Sequence, residues 1–235
     1  SDTHVKAFNP SDGSLAWDYQ SSNILHTSPA IASDGTIYIV DYYNLKALNS
    51  TGTLRWTYSL GSPPAEAWEN SASVGSDGTI YVATRGSSPK VFAINPSNGS
   101  STTAKWIVSI SSKAYGAPAI DEAAGYIYVA TEAGIYRLAI SNGAGNSSPW
   151  YATSRPVTTS PIVDAAGNVY FSEKRGALYS LSPSGTVRWK IDGLGMDGGG
   201  LAIGSNNRLY MTTDDGYFVV IANQTSPVPE YPVNY

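Results

Sequence analysis

The stretch SPAIASDGTIYIV, residues 28–40, returns along the chain as SASVGSDGTIYVA (71–83), APAIDEAAGYIYVA (117–130), SPIVDAAGNVYFS (160–172) and GLAIGSNNRLYMT (200–212). Its tyrosines are Tyr38, Tyr81, Tyr128, Tyr170 and Tyr210, spaced 43, 47, 42 and 40 residues apart. A second phrase follows: LKALNSTGTLRW (45–56), VFAINPSNGSSTTAKW (91–106), IYRLAISNGAGNSSPW (135–150) and LYSLSPSGTVRW (178–189). The chain opens with one more copy of it, VKAFNPSDGSLAW (5–17). A repeat of this length is one supersecondary unit that buries its faces only against its neighbours.

Each unit reads as four short strands. The first, SPAI, is small and apolar, as crowding near an axis requires. Asp-Gly at 34–35 and 77–78, replaced elsewhere by Ala-Gly or Asn-Asn, supplies a tight hairpin turn with positive φ. The second strand, IYIV, combines β-branched and aromatic residues. The third and fourth, LKAL and LRW, are separated by Asn, Pro, Ser and Gly, which is turn chemistry. Four strands in 40 to 45 residues predict an all-β chain folded as a β-propeller. The blade units fall at about 27–58, 71–108, 117–152 and 160–191, in a single domain spanning 1–225 with a Pro-rich tail at 226–235. The chain begins with a third and fourth strand and ends with a first and second. A composite of 200–222 with 4–19 would therefore complete a fifth four-stranded blade and close the ring. YFVVIA (217–222) competes with VKAF for the third-strand place, so a piece of a larger ring is the alternative.

The wording SPAIxxDGTIYV, then LYALN, then G-x-L-x-W, resembles the PQQ-like, quinoprotein-type propeller repeat from about Val5 to Ile221. That family includes quinoprotein alcohol dehydrogenases and an outer-membrane assembly lipoprotein. The resemblance implies the fold and little about activity. It also implies that Trp17, Trp56, Trp106, Trp150 and Trp189 pack between blades rather than stack on a cofactor. Quinoprotein enzymes carry eight blades, a vicinal Cys pair and a calcium site. The five units and absent cysteines here set the quinone aside, and no cofactor or metal is expected.

Bulk composition narrows the partners. The 235 residues carry a formal net charge of −4, and 14 scattered Lys and Arg form no basic stripe for nucleic acid. No apolar run reaches the length of a membrane span. High Ser, Thr and Tyr with low Lys, and N-x-S/T triplets at Asn49, Asn98, Asn146 and Asn223, favour an extracytoplasmic monomer. GLGMDG (193–198) lacks the strand-before, helix-after context of a dinucleotide loop and reads as a flexible crossing between blades.

Candidate functional residues come from comparing the units, because positions that build blades repeat while positions that face a ligand vary. Two residues before each SPAI serine stand His26, Glu69, Tyr115, Thr158 and Gly198. Just past the second strand stand Tyr42, Arg85, Glu132, Lys174 and Asp214, preceded by Asp41, Thr84, Thr131, Glu173 and Thr213. In propellers both connections share one rim of the channel. The variety reads either as loop drift or as one asymmetric site. The loop at 59–73 is longer than its counterparts and holds Trp68 beside Glu69 and Asn70, a stacking face with polar neighbours suited to a sugar. It reads equally as a cap on a blade.

Three functions follow. The first is a non-catalytic binding module for a glycan, a peptide or a partner protein, using His26, Asp41, Trp68, Glu69, Asn70, Arg85, Tyr115, Glu132 and Glu173. The second is a glycosidase-like or lyase-like enzyme using Asp41, Glu69, Glu132 and Glu173. The third is a structural spacer.

Overall fold

The computed structural model describes residues 2–61, 70–96, 103–194, 196–197, 199–205 and 208–222. Trp68, Glu69, Asn98, Gly198, the Asn206-Asn207 turn, Asn223 and the tail at 226–235 lie outside the described residues. The described elements are all strands.

Four sheets are four-stranded, antiparallel and consecutive in sequence. The first blade comprises β3 (Ala30–Ile31), β4 (Ile37–Asp41), β5 (Asn44–Leu48) and β6 (Leu54–Ser59), and the second β7 (Ser73–Val74), β8 (Ile80–Ala83), β9 (Lys90–Ile94) and β10 (Ala104–Ser109). The third holds β11 (Ala114–Asp121), β12 (Tyr126–Thr131), β13 (Gly134–Ala139) and β14 (Tyr151–Ala152). The fourth holds β15 (Ile162–Val163), β16 (Val169–Ser172), β17 (Ala177–Leu181) and β18 (Val187–Asp192).

Among the described strands the two chain ends do not pair as expected. β1 (Asp2–Phe8) pairs with β2 (Leu15–Leu25) as a two-stranded sheet, while β19 (Leu201–Ile203), β20 (Leu209–Thr212) and β21 (Phe218–Ile221) form a three-stranded one. The third-strand place beside β20 thus belongs to Phe218–Ile221, not to Val5–Phe8. A turn of a few residues joins β20 to β21, closed by Thr213 N–H to Tyr217 O and Gly216 N–H to Thr213 O. Closing so short a loop costs far less chain entropy than pairing with a strand 200 residues away.

Strand period decides how blades meet. In β8, Ile80 and Val82 pack against Tyr38, Ala47 and Trp56 of the blade before, whereas Tyr81 and Ala83 pack against Ile127 and Val129 of the blade after. Alternate side chains point to opposite faces, so the second and third strands of the four complete blades are largely buried on both sides and are mostly apolar. Across each blade a tyrosine of the second strand and the tryptophan of the fourth share one face: Tyr38–Trp56, Tyr81–Trp106, Tyr128–Trp150 and Tyr170–Trp189 lie 5.3–6.1 Å apart. Ala47 stands between the first pair in register, small enough to let the rings meet. The tryptophans also reach the next blade, Trp17 Nε1 donating to Ser50 O at 3.0 Å and Trp106 Nε1 to Ile140 O at 2.7 Å.

The Asp-Gly turns differ in type from the two-residue hairpin read in the sequence. Gly35 N–H bonds to Ala32 O, and Ala32 N–H to Thr36 O. Gly35 has φ +80° and Asp34 does not share the positive φ that a type I′ turn demands. The turn is a three-residue loop whose glycine makes the bulge. Asp34 is free to cap it, accepting from Thr36 N–H and Thr36 Oγ1 at 2.9 Å each. Asp77 repeats this with Thr79 and adds Lys105 at 2.6 Å. The hydrogen bonds from Lys105 and Thr79 hold the Asp77 carboxyl down at about 2.

Candidate functional site

One cavity of about 730 Å³ opens where the fourth-to-first and second-to-third connections converge. From the former come His26, Ser71, Thr158, Ser160 and Asp197, and from the latter Arg85, Glu132 and Lys174. Tyr115 and Gly116 reach it from the start of β11. Of the positions singled out by comparing units, His26, Tyr115, Thr158, Arg85, Glu132 and Lys174 share this mouth.

The preceding row does not. Asp41, Thr84, Thr131 and Glu173 are buried. Thr131 Oγ1 donates to Gly134 O, and Thr84 Oγ1 accepts from Lys90 N–H, so these side chains close the turn between second and third strands. Glu173 accepts from Ser154 N–H at 3.1 Å and from its hydroxyl at 3.3 Å. Asp41 accepts from Lys46 Nζ at 2.5 Å, Ser21 Oγ at 2.8 Å and Asn44 Nδ2 at 2.9 Å. Burial pushes the Asp41 carboxyl up, but these three donors prevail and hold it below the usual range. Asn70 is buried as well, donating to Ala83 O at 2.9 Å. Asp41, Asn70 and Glu173 therefore serve the scaffold and leave the candidate site. One residue of strand period separates Glu173 from Lys174, and that step turns the side chain from interior to opening.

At the mouth the Arg85 guanidinium lies 4.8 Å from the Tyr115 ring centroid, a cation–π contact, and donates to Tyr115 OH at 3.4 Å. The phenol in turn donates to Glu132 Oε1 at 3.0 Å. Across the ring Lys174 Nζ pairs with Asp197 Oδ2 at 2.9 Å, and the Asp197 N–H is held by the Asp214 carboxylate at 2.9 and 3.1 Å. Asp197 lies in the crossing expected to be flexible, but its neighbour Met196 is fully buried and bonds to Ser172 Oγ through its N–H. The repeat serines stitch the inner lip: Ser28 N–H donates to Ser71 Oγ, and Ala117 N–H to Ser160 Oγ, each at 2.9 Å.

Gly116 fixes how close the third and fourth blades come at this lip. Its φ is +67°, and a Cβ there would stand 2.5 Å from Ser160 Oγ and 2.9 Å from Ser160 N. Gly116→Ala is expected to cost about 2–3 kcal/mol from left-handed strain and backbone crowding. Chemical denaturation measures it, and a loss below about 0.5 kcal/mol would show that the lip is not tightly packed.

The sequence missed Ser71, Ser160 and Asp197 as lining residues. The serines are part of the repeated phrase, and a repeated residue carries no mark of facing the channel. Asp197 sits among glycines where no strand pattern assigns direction.

The family model described as outer membrane protein assembly factor BamB matches residues 1–191. No curated protein sequence matches the chain. Among solved structures, BamB from Moraxella catarrhalis is similar with a TM-score of 0.69 at 16% identity, covering 94% of this chain and 67% of that one. A europium-containing methanol dehydrogenase gives 0.70 at 12%, covering 89% and 58%. A gluconolactonase from Xanthomonas campestris gives 0.60 at 13%, covering 94% and 86%. The chain thus spans about two thirds of the BamB structure and less of the dehydrogenase. At these identities the likeness concerns the fold alone.

Proposed function

The chain belongs to the outer membrane protein assembly factor BamB family, and from that premise we propose that it is a non-catalytic interaction module whose mouth holds a segment of a partner protein. The observation that carries this reading is the convergence of unlike side chains on one opening while the blades stay near copies. An imidazole, a guanidinium, a phenol, an ammonium and two carboxylates meet there with hydroxyls, and the lining is more polar than apolar. Such a lining suits a hydrated, hydrogen-bonding partner rather than a greasy small molecule.

The role in the family's description, assembly of outer membrane proteins, supports a protein partner and an extracytoplasmic setting. The glycan reading draws less support. Asn70 is buried and Arg85 already covers one face of Tyr115, while Trp68 lies outside the described residues and bears on neither reading. The carboxylate-enzyme reading is left with Glu132 and Asp197 in the cavity, the latter paired with Lys174.

A displayed random-peptide library selected on the protein tests the proposal. Peptides enriched on it should lose at least tenfold in affinity for an Arg85→Ala/Tyr115→Ala double variant of unchanged melting temperature. Enriched peptides that bind the double variant equally well would place the contact elsewhere and end the proposal.

A further inference from the structure

We infer that the mouth selects a cationic side chain of the partner segment, a lysine ammonium, and that Glu132 is its counter-charge. This rests on the mouth being the partner-binding site and adds its chemistry. Within the cavity the charges are unequally answered. Lys174 already has Asp197 at 2.9 Å, and Asp197 is further anchored through its backbone to Asp214. Arg85 is spread over the Tyr115 ring and points a donor at the phenol oxygen. Glu132 is different. It is exposed to the cavity, its carboxylate receives one neutral hydrogen bond from Tyr115, and among the described residues no Lys, Arg or His nitrogen lies within 4.0 Å of it. Arg85 reaches this carboxylate only through the Tyr115 hydroxyl, which leaves Glu132 without a direct ion pair among the described residues.

Tyr115 also sets the geometry of that carboxylate. By donating to Oε1 it fixes the rotamer of Glu132 and leaves Oε2 as the open acceptor. A guanidinium recognises carboxylate best through two parallel bonds to both oxygens, which this arrangement spoils. A compact ammonium needs only one oxygen and finds further acceptors in the Thr158 and Ser160 hydroxyls of the same wall. The formal net charge of −4 adds a long-range attraction for basic segments. Tyr115 is thus a positioning residue and Glu132 the recognition group.

The test titrates the full chain with four pentapeptides blocked at both ends, Gly-Gly-X-Gly-Gly with X as Lys, Arg, Gln or Glu, and follows backbone amide shifts. The Lys peptide should move Tyr115, Glu132 and Thr158 at the lowest concentration. Its affinity should fall at least tenfold in Glu132→Gln and stay within twofold in Asp12→Asn, which removes a carboxylate from a distant exposed turn. Tyr115→Phe should narrow the preference for Lys over Arg without abolishing binding. If the Gln or Glu peptide binds the mouth as well as Lys, or Arg binds tighter, the charge assignment fails while the mouth stands as a peptide site. An equal loss in Asp12→Asn shows generic attraction and overturns the assignment. If no peptide moves mouth amides, both the assignment and the peptide site fall.

Discussion

Trp106→Ala is expected to remove about 3–5 kcal/mol of stability, the range for deleting a large buried aromatic side chain. Trp106 is buried, lies 6.1 Å from the Tyr81 ring and ties its blade to the next through the Ile140 carbonyl. A Cβ on Gly143 would come within 2.9 Å of the indole, so the ring fits against a backbone stripped of side chain. Truncation leaves a cavity between two sheets that share few other means of closing it, and strands cannot shift singly without breaking their ladders. Urea denaturation with an unchanged m-value gives the number directly. A loss under about 1 kcal/mol would mean the sheets collapse onto the gap and that the tryptophan is not what spaces them.

Lys46→Met should be of similar size at neutral pH, about 3–5 kcal/mol, because it leaves the Asp41 carboxylate buried without its cation. The pH dependence separates this from lost packing. In the natural protein the carboxyl of Asp41 is held below its ordinary value, so its contribution is present above about pH 4 and fades as pH falls through the folded-state value. In the variant burial dominates and raises the carboxyl. Protonation then relieves the folded state, and the deficit relative to the natural protein shrinks on going from about pH 7 to pH 4. Unfolding free energies of both proteins at the two pH values decide the matter. An equal deficit at both would show that the methionine is merely a poor fit and that charge is not at issue.

Most of the architecture was legible in the residues. The repeats announced an all-β propeller of four-stranded antiparallel sheets, since each buried strand must be apolar on both faces and each turn needs its glycine. Glycine's positive φ at 35 was readable, but the turn type was not, because only the backbone shows whether Asp34 caps the loop or shares its inversion. The third strand beside β20 stayed open between two segments for a related reason. VKAF and FVVI have equal claims by pattern, and proximity along the chain decides between them.

The candidate site was half legible. Variation among copies found Arg85, Glu132 and Lys174 in the opening but swept in Asp41 and Glu173, which sit one residue earlier. A sign of their different task was available: three of the five residues in that row are threonine, at 84, 131 and 213, and a hydroxyl recurring between variable neighbours points to a turn. Where Asp41 stands instead, the charge is answered by a lysine in the next strand, a pairing that no spacing rule in the chain announces.

The tryptophan that leaves one blade for the glycine-bearing turn of the next has a consequence for descent. Three described junctions carry both halves of this joint, Trp17 with Gly52, Trp106 with Gly143 and Trp150 with Gly185, so these copies are compatible with one another. Duplication or loss of a whole unit restores matched surfaces at the junction without further change. Ring size can therefore vary among relatives in steps of one unit, while the residues of the mouth, carried one or two per connection, diverge independently of that count.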